Sequence, residues 1–134
     1  MKVSVIVPSY NSSRTIRLCL ESILAQRADD FEIVVVDDAA TDGSLSIIRE
    51  YTGVKVVRLD KNQGPAVARN VGARESSGEL LIFLDSDCFV KDVDWLRKHV
   101  ERLQTGSPRN IVGGSIRADG PGVIERAFTY NHWY

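Results

Sequence analysis

Residues 31–44 read FEIVVVDDAATDGS, five apolar positions in six that run straight into paired aspartates and then a polar turn. So short a run of β-branched residues, with no polar alternation, reads as a strand buried on both faces, Phe31 to Val36. Strands of that kind belong to parallel sheets covered by helices, so the flanking segments should supply those helices. On the N-terminal side lies a second such strand, Lys2 to Pro8, expected to end at the proline. Between the two, Ser12 or Ser13 can cap a helix whose Ile16, Cys19, Leu20, Ile23 and Leu24 recur at three- and four-residue steps.

The same cadence continues toward the C-terminus. Asp42-Gly43-Ser44 opens a shorter helix with Leu45 and Ile48 on one face, and Val54 to Leu59 forms a third strand. Pro65 suits a first helical turn that runs through Val67, Ala68 and Val71 toward Glu75 and breaks at Ser77-Gly78. Leu80 to Leu84 is expected to be a fourth buried strand, followed by a helix over Val93 to Gln104 with Leu96, Val100 and Leu103 on one stripe. Strands alternating with amphipathic helices predict an α/β fold, Rossmann-like, with a mainly parallel sheet flanked by helices on both faces.

The 134 residues match one ordinary domain, and 43% hydrophobic with 26% charged residues is the balance of a globular chain. With 17 basic against 18 acidic residues there is no electrostatic footprint for DNA or RNA, so no nucleic-acid partner is expected. The apolar run at the N-terminus is broken by Ser4 and Pro8 and is too short for a signal sequence or a membrane span, which predicts a cytoplasmic location. Cys19 and Cys88 lack metal-ligand spacing and are expected to be reduced, Cys19 in the core and Cys88 open to oxidation.

Open parallel sheets bind ligands outside the carboxyl ends of their strands. Here those ends carry Pro8-Ser9-Tyr10-Asn11, Asp37-Asp38, Asp60 and Asp85-Ser86-Asp87, so acids should gather on one rim. A D-x-D triplet alone is weak, since a chain this rich in aspartate contains about one by chance. Asp92-Val93-Asp94 is such a second triplet, and its place at a helix start marks it as capping. Asp85 and Asp87 instead end a strand, and two carboxylates on a loop suit a hard cation, Mg²⁺ or Mn²⁺, shared with phosphate oxygens.

The segments VSVIVPSYN, IVVVDDAATDGS, GPAVARNVGARESSGELLIFLDSD and the later GG follow one another as they do in family 2 glycosyltransferases. The chain resembles the N-terminal, nucleotide-binding portion of these GT-A fold enzymes from Val3 to about Gly114. That resemblance implies a nucleotide-sugar-binding domain over residues 1–114. Residues 115–134 would begin the acceptor-side segment or form a packed C-terminal arm, leaving the fold incomplete at that end. It implies that Pro8 and Tyr10 line a base pocket, that Asp38 bonds a uracil-like edge and that Arg69 helps hold the nucleotide. Gly64 would let the backbone turn close to the ligand. Asp85, with Ser86 beside it, would contact the ribose or the metal, and Asp87 would ligate the metal bridging the diphosphate.

The implied reaction is metal-dependent, inverting transfer from a nucleotide-diphosphate sugar, with a UDP-sugar favoured, to a sugar or lipid-linked acceptor. A lipid-linked acceptor would bring the protein to the cytoplasmic face of the membrane. The sequence departs from the common pattern at Cys88, where many members carry another acid, and at Ala39-Ala40 within the DDAATD segment. No acid beyond Asp87 makes a convincing base, so the catalytic residue is unassigned and the isolated chain is expected to bind donor but to transfer poorly. The tail Val123 to Tyr134, rich in aromatics, is expected to pack against protein, another copy of the chain being the favoured cover. Two other readings are a non-catalytic nucleotide-sugar binding module and a phosphoacceptor receiver domain, the latter suggested by Asp37-Asp38 and Asp60 after their strands.

Overall fold

Strand β1, Val3–Ser9, pairs in parallel with β2, Phe31–Asp37, in unbroken register from Val3 opposite Phe31 to Ser9 opposite Asp37. On its other side β1 pairs with β4, Leu80–Phe83, while β3, Val54–Arg58, lies outside β2. The computed structural model describes residues 2–105. Their four-stranded parallel sheet has the order β3-β2-β1-β4. The helices are α1, Ile16–Leu24, α2, Ser44–Ile48, α3, Pro65–Glu75, and α4, Trp95–Gln104. By contacts the chain divides into two compact units, residues 1–98 and 99–134. The sheet and the first three helices lie in the first; of the second, the described residues 99–105 end α4 and the turn after it. The expected division at residue 114, the Gly113-Gly114 pair and the aromatic tail fall outside the described residues.

Strand order dictates where the helices lie. Crossovers between parallel strands are right-handed, so β1-α1-β2 and β2-α2-β3, which move the same way across the sheet, put α1 and α2 on one face. The connection from β3 back across to β4 runs the other way and puts α3 on the opposite face. Ile6 and Val36 point to that face, where Gly72 of α3 approaches so closely that an added Cβ would lie 2.4 Å from Ile6 Cγ2 and 3.2 Å from Val36 Cγ2. On the other face Val5, Val7, Ile33 and Val35 are fully buried, as are Ile16, Cys19, Leu20 and Ile23 of α1. The receiver-domain alternative fails on this topology, because its doubly wound order sets β3 beside β1, whereas here β3 pairs with β2.

Three local expectations are corrected. Pro8 does not end β1; the strand continues through Ser9. Ile6 O accepts from Leu84 N–H toward β4 and Ser9 O from Asp38 N–H toward β2, so Pro8 turns its ring nitrogen to the β4 side, where the ladder has already stopped at Ile6 opposite Phe83. Helix α1 starts at Ile16 without a serine side-chain cap, and Leu24 falls off its buried stripe. The Ser12 carbonyl accepts from Thr15 and Ile16 N–H at 3.0 and 2.9 Å, while its hydroxyl is bonded to Ser9 Oγ at 2.6 Å. Finally, β4 is not buried on both faces: Leu81 and Phe83 are 39% and 46% exposed. They point to the α3 face, but α3 packs chiefly over β1 and β2, away from β4, the outer strand among the described residues. The capping role of Asp92 stands, since its Oδ1 accepts from Asp94 N–H at 2.9 Å. Among the described residues no helix is long and apolar enough to cross a membrane.

Candidate active site

At the carboxyl edge of the sheet, where the strand order reverses between β1 and β4, a cleft of about 980 Å³ opens. Pro8 and Tyr10 reach it from the end of β1, Asp38 from the end of β2, Gly64 and Arg69 from the start of α3, and Asp85, Ser86 and Asp87 from the loop after β4. All the residues named from the sequence as donor or metal ligands thus meet in one place. Asp37 and Asp60 do not line it.

One wall is two loops tied together. Tyr10 is exposed, and Asn11 takes φ +47°, a left-handed conformation that asparagine tolerates better than most residues. From there Asn11 Oδ1 accepts the Thr41 N–H at 2.8 Å. Asp42 Oδ2 accepts the Ser13 N–H at 2.9 Å, and Ser44 Oγ accepts the Ser12 N–H at 2.8 Å while donating to Asp42 Oδ1. Burial alone would raise the Asp42 carboxyl, but the bonds from Ser44 and Ser13 hold it well below the usual carboxylate range. The loop carrying Tyr10 is therefore anchored to the loop leaving β2.

Asp38 is only 2% exposed, and its two oxygens accept the Gln63 and Gly64 N–H groups, each at 2.8 Å. It thereby sets the turn at Gly64, φ +89°, from which α3 begins. Each carboxylate oxygen keeps a second lone-pair direction with which to accept from a ligand. Its neighbour Asp37 is fully buried; Oδ1 accepts the Ala40 N–H at 3.2 Å, and Oδ2, with no hydrogen-bond partner, lies 3.5 Å from Arg58 Nε. Asp37 is thus part of the frame.

The acidic loop is held from behind by α1 and the residues that follow it. Cys19 Sγ approaches Asp85 O at 3.7 Å, Ser22 Oγ accepts the Val90 N–H at 3.1 Å, and Arg27 N–H donates to Val93 O at 2.8 Å. The buried Gln26 amide donates to Asp92 O and accepts from Leu96 N–H, both at 2.9 Å. On the cleft side, Asp85 Oδ1 is 2.5 Å from Arg69 Nη2, and Asp87 is exposed. Burial, with the charges of Asp87 and Asp85, pushes the Cys88 thiol up to about 11; burial, with Cys88 and the same acids, pushes Cys19 to about 12. Both cysteines are free, as expected.

Among the described residues no three acidic, histidine or cysteine side chains converge as a metal cage. The pair Asp85 and Asp87 does fit Mg²⁺ or Mn²⁺ bound through one or two carboxylates plus ligand phosphates. Sequence reading set Asn11 on the rim without a role, took Ser13 only as a possible helix cap, missed Arg14 and Asn62 of the lining and gave Asp42 only a helix-opening role. The juxtaposition of Tyr10 with an asparagine, a residue suited to left-handed backbone, is the signal that was available for Asn11.

The description "Glycosyl transferase family 2" fits the chain over residues 4–132. It is 35% identical over 125 residues to glycosyltransferase AglE of Haloferax volcanii, covering 89% of this chain and 40% of that protein. The crystal structure of S. aureus TarS 1–349 in complex with UDP superposes with a TM-score of 0.73 and 38% identity, over 78% of this chain and 32% of that one. The mannosyltransferase PcManGT of Pyrobaculum calidifontis, in complex with GDP-Man and Mn²⁺, gives a TM-score of 0.73 and 33% identity over 76% and 32% of the two chains. The chain therefore spans two-fifths or less of the length of these relatives.

Proposed function

This chain belongs to glycosyl transferase family 2, and we propose that its cleft binds a nucleotide-diphosphate sugar, a UDP-sugar in preference, together with Mg²⁺ or Mn²⁺, as the donor half of an inverting sugar transfer. The observation that carries this reading is the meeting of an exposed aromatic, Tyr10, a buried carboxylate, Asp38, and the Asp85-Ser86-Asp87 loop in a single cleft. Tyr10 offers a face for a planar base, and Asp38 offers acceptors that match a base N–H. Asp85 and Asp87 offer carboxylates that could share a cation with the donor's diphosphate, and Arg69 beside them would help hold the nucleotide. When bound, that cation neutralises the charge developing on the departing diphosphate. TarS with UDP and PcManGT with GDP-Man and Mn²⁺ support a nucleotide donor and a divalent metal.

The four carboxylates that line the cleft are Asp38, Asp42, Asp85 and Asp87. Asp38 and Asp42 are engaged with loop N–H groups and Asp85 with Arg69, and in this reading Asp85 and Asp87 serve the metal and the donor, so none of these four is assigned the deprotonation of an acceptor hydroxyl. Donor binding is the function that these residues support.

Calorimetric titration of UDP with and without Mn²⁺ tests the assignment. Wild type should bind more tightly with the metal, and Asp87→Ala should lose that increment while keeping the metal-free affinity. Identical affinities with and without Mn²⁺, in wild type and variant alike, would refute it.

A further inference from the structure

Tyr10 stands between two bonds that join its loop to the one leaving β2. On one side of it Ser9 O accepts the Asp38 N–H at 2.8 Å, where β1 and β2 end together. On the other side Asn11 Oδ1 accepts the Thr41 N–H at 2.8 Å. The two bonds close a ring with Tyr10 on one arm and Asp38, Ala39 and Ala40 on the other. We propose that Asn11 and Asp42 are positioning residues for the nucleoside end of the donor: by closing this ring they fix the gap between Tyr10 and Asp38, so that the base slot is formed before donor or metal arrives. The inference rests on the reading of the cleft as a nucleotide-diphosphate site, and it requires neither residue to touch the base.

Asp42 backs the ring from beyond Thr41. Its Oδ2 accepts the Ser13 N–H at 2.9 Å and its Oδ1 the Ser44 N–H at 3.1 Å, while Ser44 Oγ accepts the Ser12 N–H at 2.8 Å. Asn11, Ser12 and Ser13 of one loop are thus bonded in turn to Thr41, Ser44 and Asp42 of the other. Each arm also bends through left-handed backbone at a residue other than glycine, Asn11 at φ +47° and Ala39 at φ +59°. Such conformations persist where the surrounding bonds over-determine them. A slot held at both ends has little freedom left to lose when a base enters, which favours binding. The Asp85-Ser86-Asp87 loop is anchored separately, through Cys19, Ser22 and Gln26, so the ring governs the base and not the cation.

Uridine carries the base without phosphate, and its titration followed by NMR reads the slot alone. Asn11→Gly keeps a residue suited to left-handed backbone but removes the acceptor, and should bind uridine about fivefold more weakly, the worth of one ordinary hydrogen bond. Asp42→Ala should lose at least as much. Asn11→Asp restores the acceptor oxygen and should stay within about twofold of wild type. The gain in UDP affinity on adding Mn²⁺ should be the same in Asn11→Gly as in wild type. Glu32→Gln, which weakens the fold at the opposite end of the sheet, should leave uridine binding unchanged. Undiminished uridine affinity in Asn11→Gly overturns the positioning role, as does an equal loss in Glu32→Gln or a reduced Mn²⁺ gain in Asn11→Gly. Asn11→Asp as weak as Asn11→Gly makes the Asn11 amide itself a ligand and overturns it too. Wild type that binds UDP with Mn²⁺ but takes no uridine shows that the slot is not formed in advance. Wild type that binds neither overturns the donor reading and the positioning role with it.

Discussion

Replacing Asp38 with asparagine separates the two roles that this carboxylate holds. In the protein it accepts from Gln63 N–H and Gly64 N–H, one through each oxygen. Asparagine has the same shape but one acceptor oxygen, and its amide nitrogen would face the second N–H donor to donor. One backbone donor in a nearly buried site is thereby left unsatisfied, which costs about 1–3 kcal/mol. The unfolding free energy from urea titration should fall by that amount. The turn so loosened opens α3, which carries Arg69, so UDP affinity measured in chelator should fall as well, by about five- to 150-fold if the whole cost is felt in binding. An unchanged urea midpoint would show that Asp38 does not hold the turn. Lost UDP affinity at full stability would make it a ligand group only, and full retention of both would refute the reasoning altogether.

Gly72→Ala forces a methyl group against Ile6 and Val36 and should lower stability by about 1–3 kcal/mol, whereas Gly53→Ala, with open space around it, should change little; equal melting of the two variants would contradict the close approach of α3. Glu32 gives a pH dependence. Burial acts to raise its carboxyl, but bonds from Ser4 Oγ and from Ser77, with Lys2 nearby, bring it down to about 2 from an ordinary 4.5. A folded-state value below the unfolded one stabilises the fold above about pH 4.5, and that contribution fades as pH falls toward 2. It amounts to at most about 3 kcal/mol, since the side chain is 21% exposed. Denaturant titrations at pH 5, 4 and 3 should show wild type losing stability faster than Glu32→Gln, and parallel curves would refute the assignment.

The elements that were legible were those whose cause is local. Both-face burial of β1 and β2 follows from runs of valine and isoleucine, the buried stripe of α1 from its spacing, and the start of α3 from Pro65 at its first turn. The rim residues were also legible, because each ends a strand of a parallel sheet or begins the helix beside it. What escaped depends on partners far along the chain. Pro8 can stay in β1 only because β4 stops early, and β4 is half exposed only because α3 lies over other strands. Ser12 pairs its hydroxyl with that of Ser9 and takes Ser44 as partner for its N–H, a choice that no cap rule at Ser12 itself could show. The inter-loop bonds of Asn11 and Asp42, and the pairing of Arg69 with Asp85, span 16 residues or more.

The grip of α1 and the residues just past it on the segment after β4 has a consequence for how the cleft can be altered. Every bond in it reaches a main-chain atom of that segment: the carbonyls of Asp85, Asp92 and Val93 and the N–H groups of Val90 and Leu96. The path of the loop is therefore set by the side chains of Cys19 and Ser22 in α1 and of Gln26 just past it, with the Arg27 N–H, and the side chains of Ser86, Cys88 and Phe89 take no part in that anchoring. Positions 86, 88 and 89 are accordingly the places to diversify in a library aimed at other donors. Cys19, Ser22 and Gln26, which look like ordinary helix residues, are the ones to leave untouched.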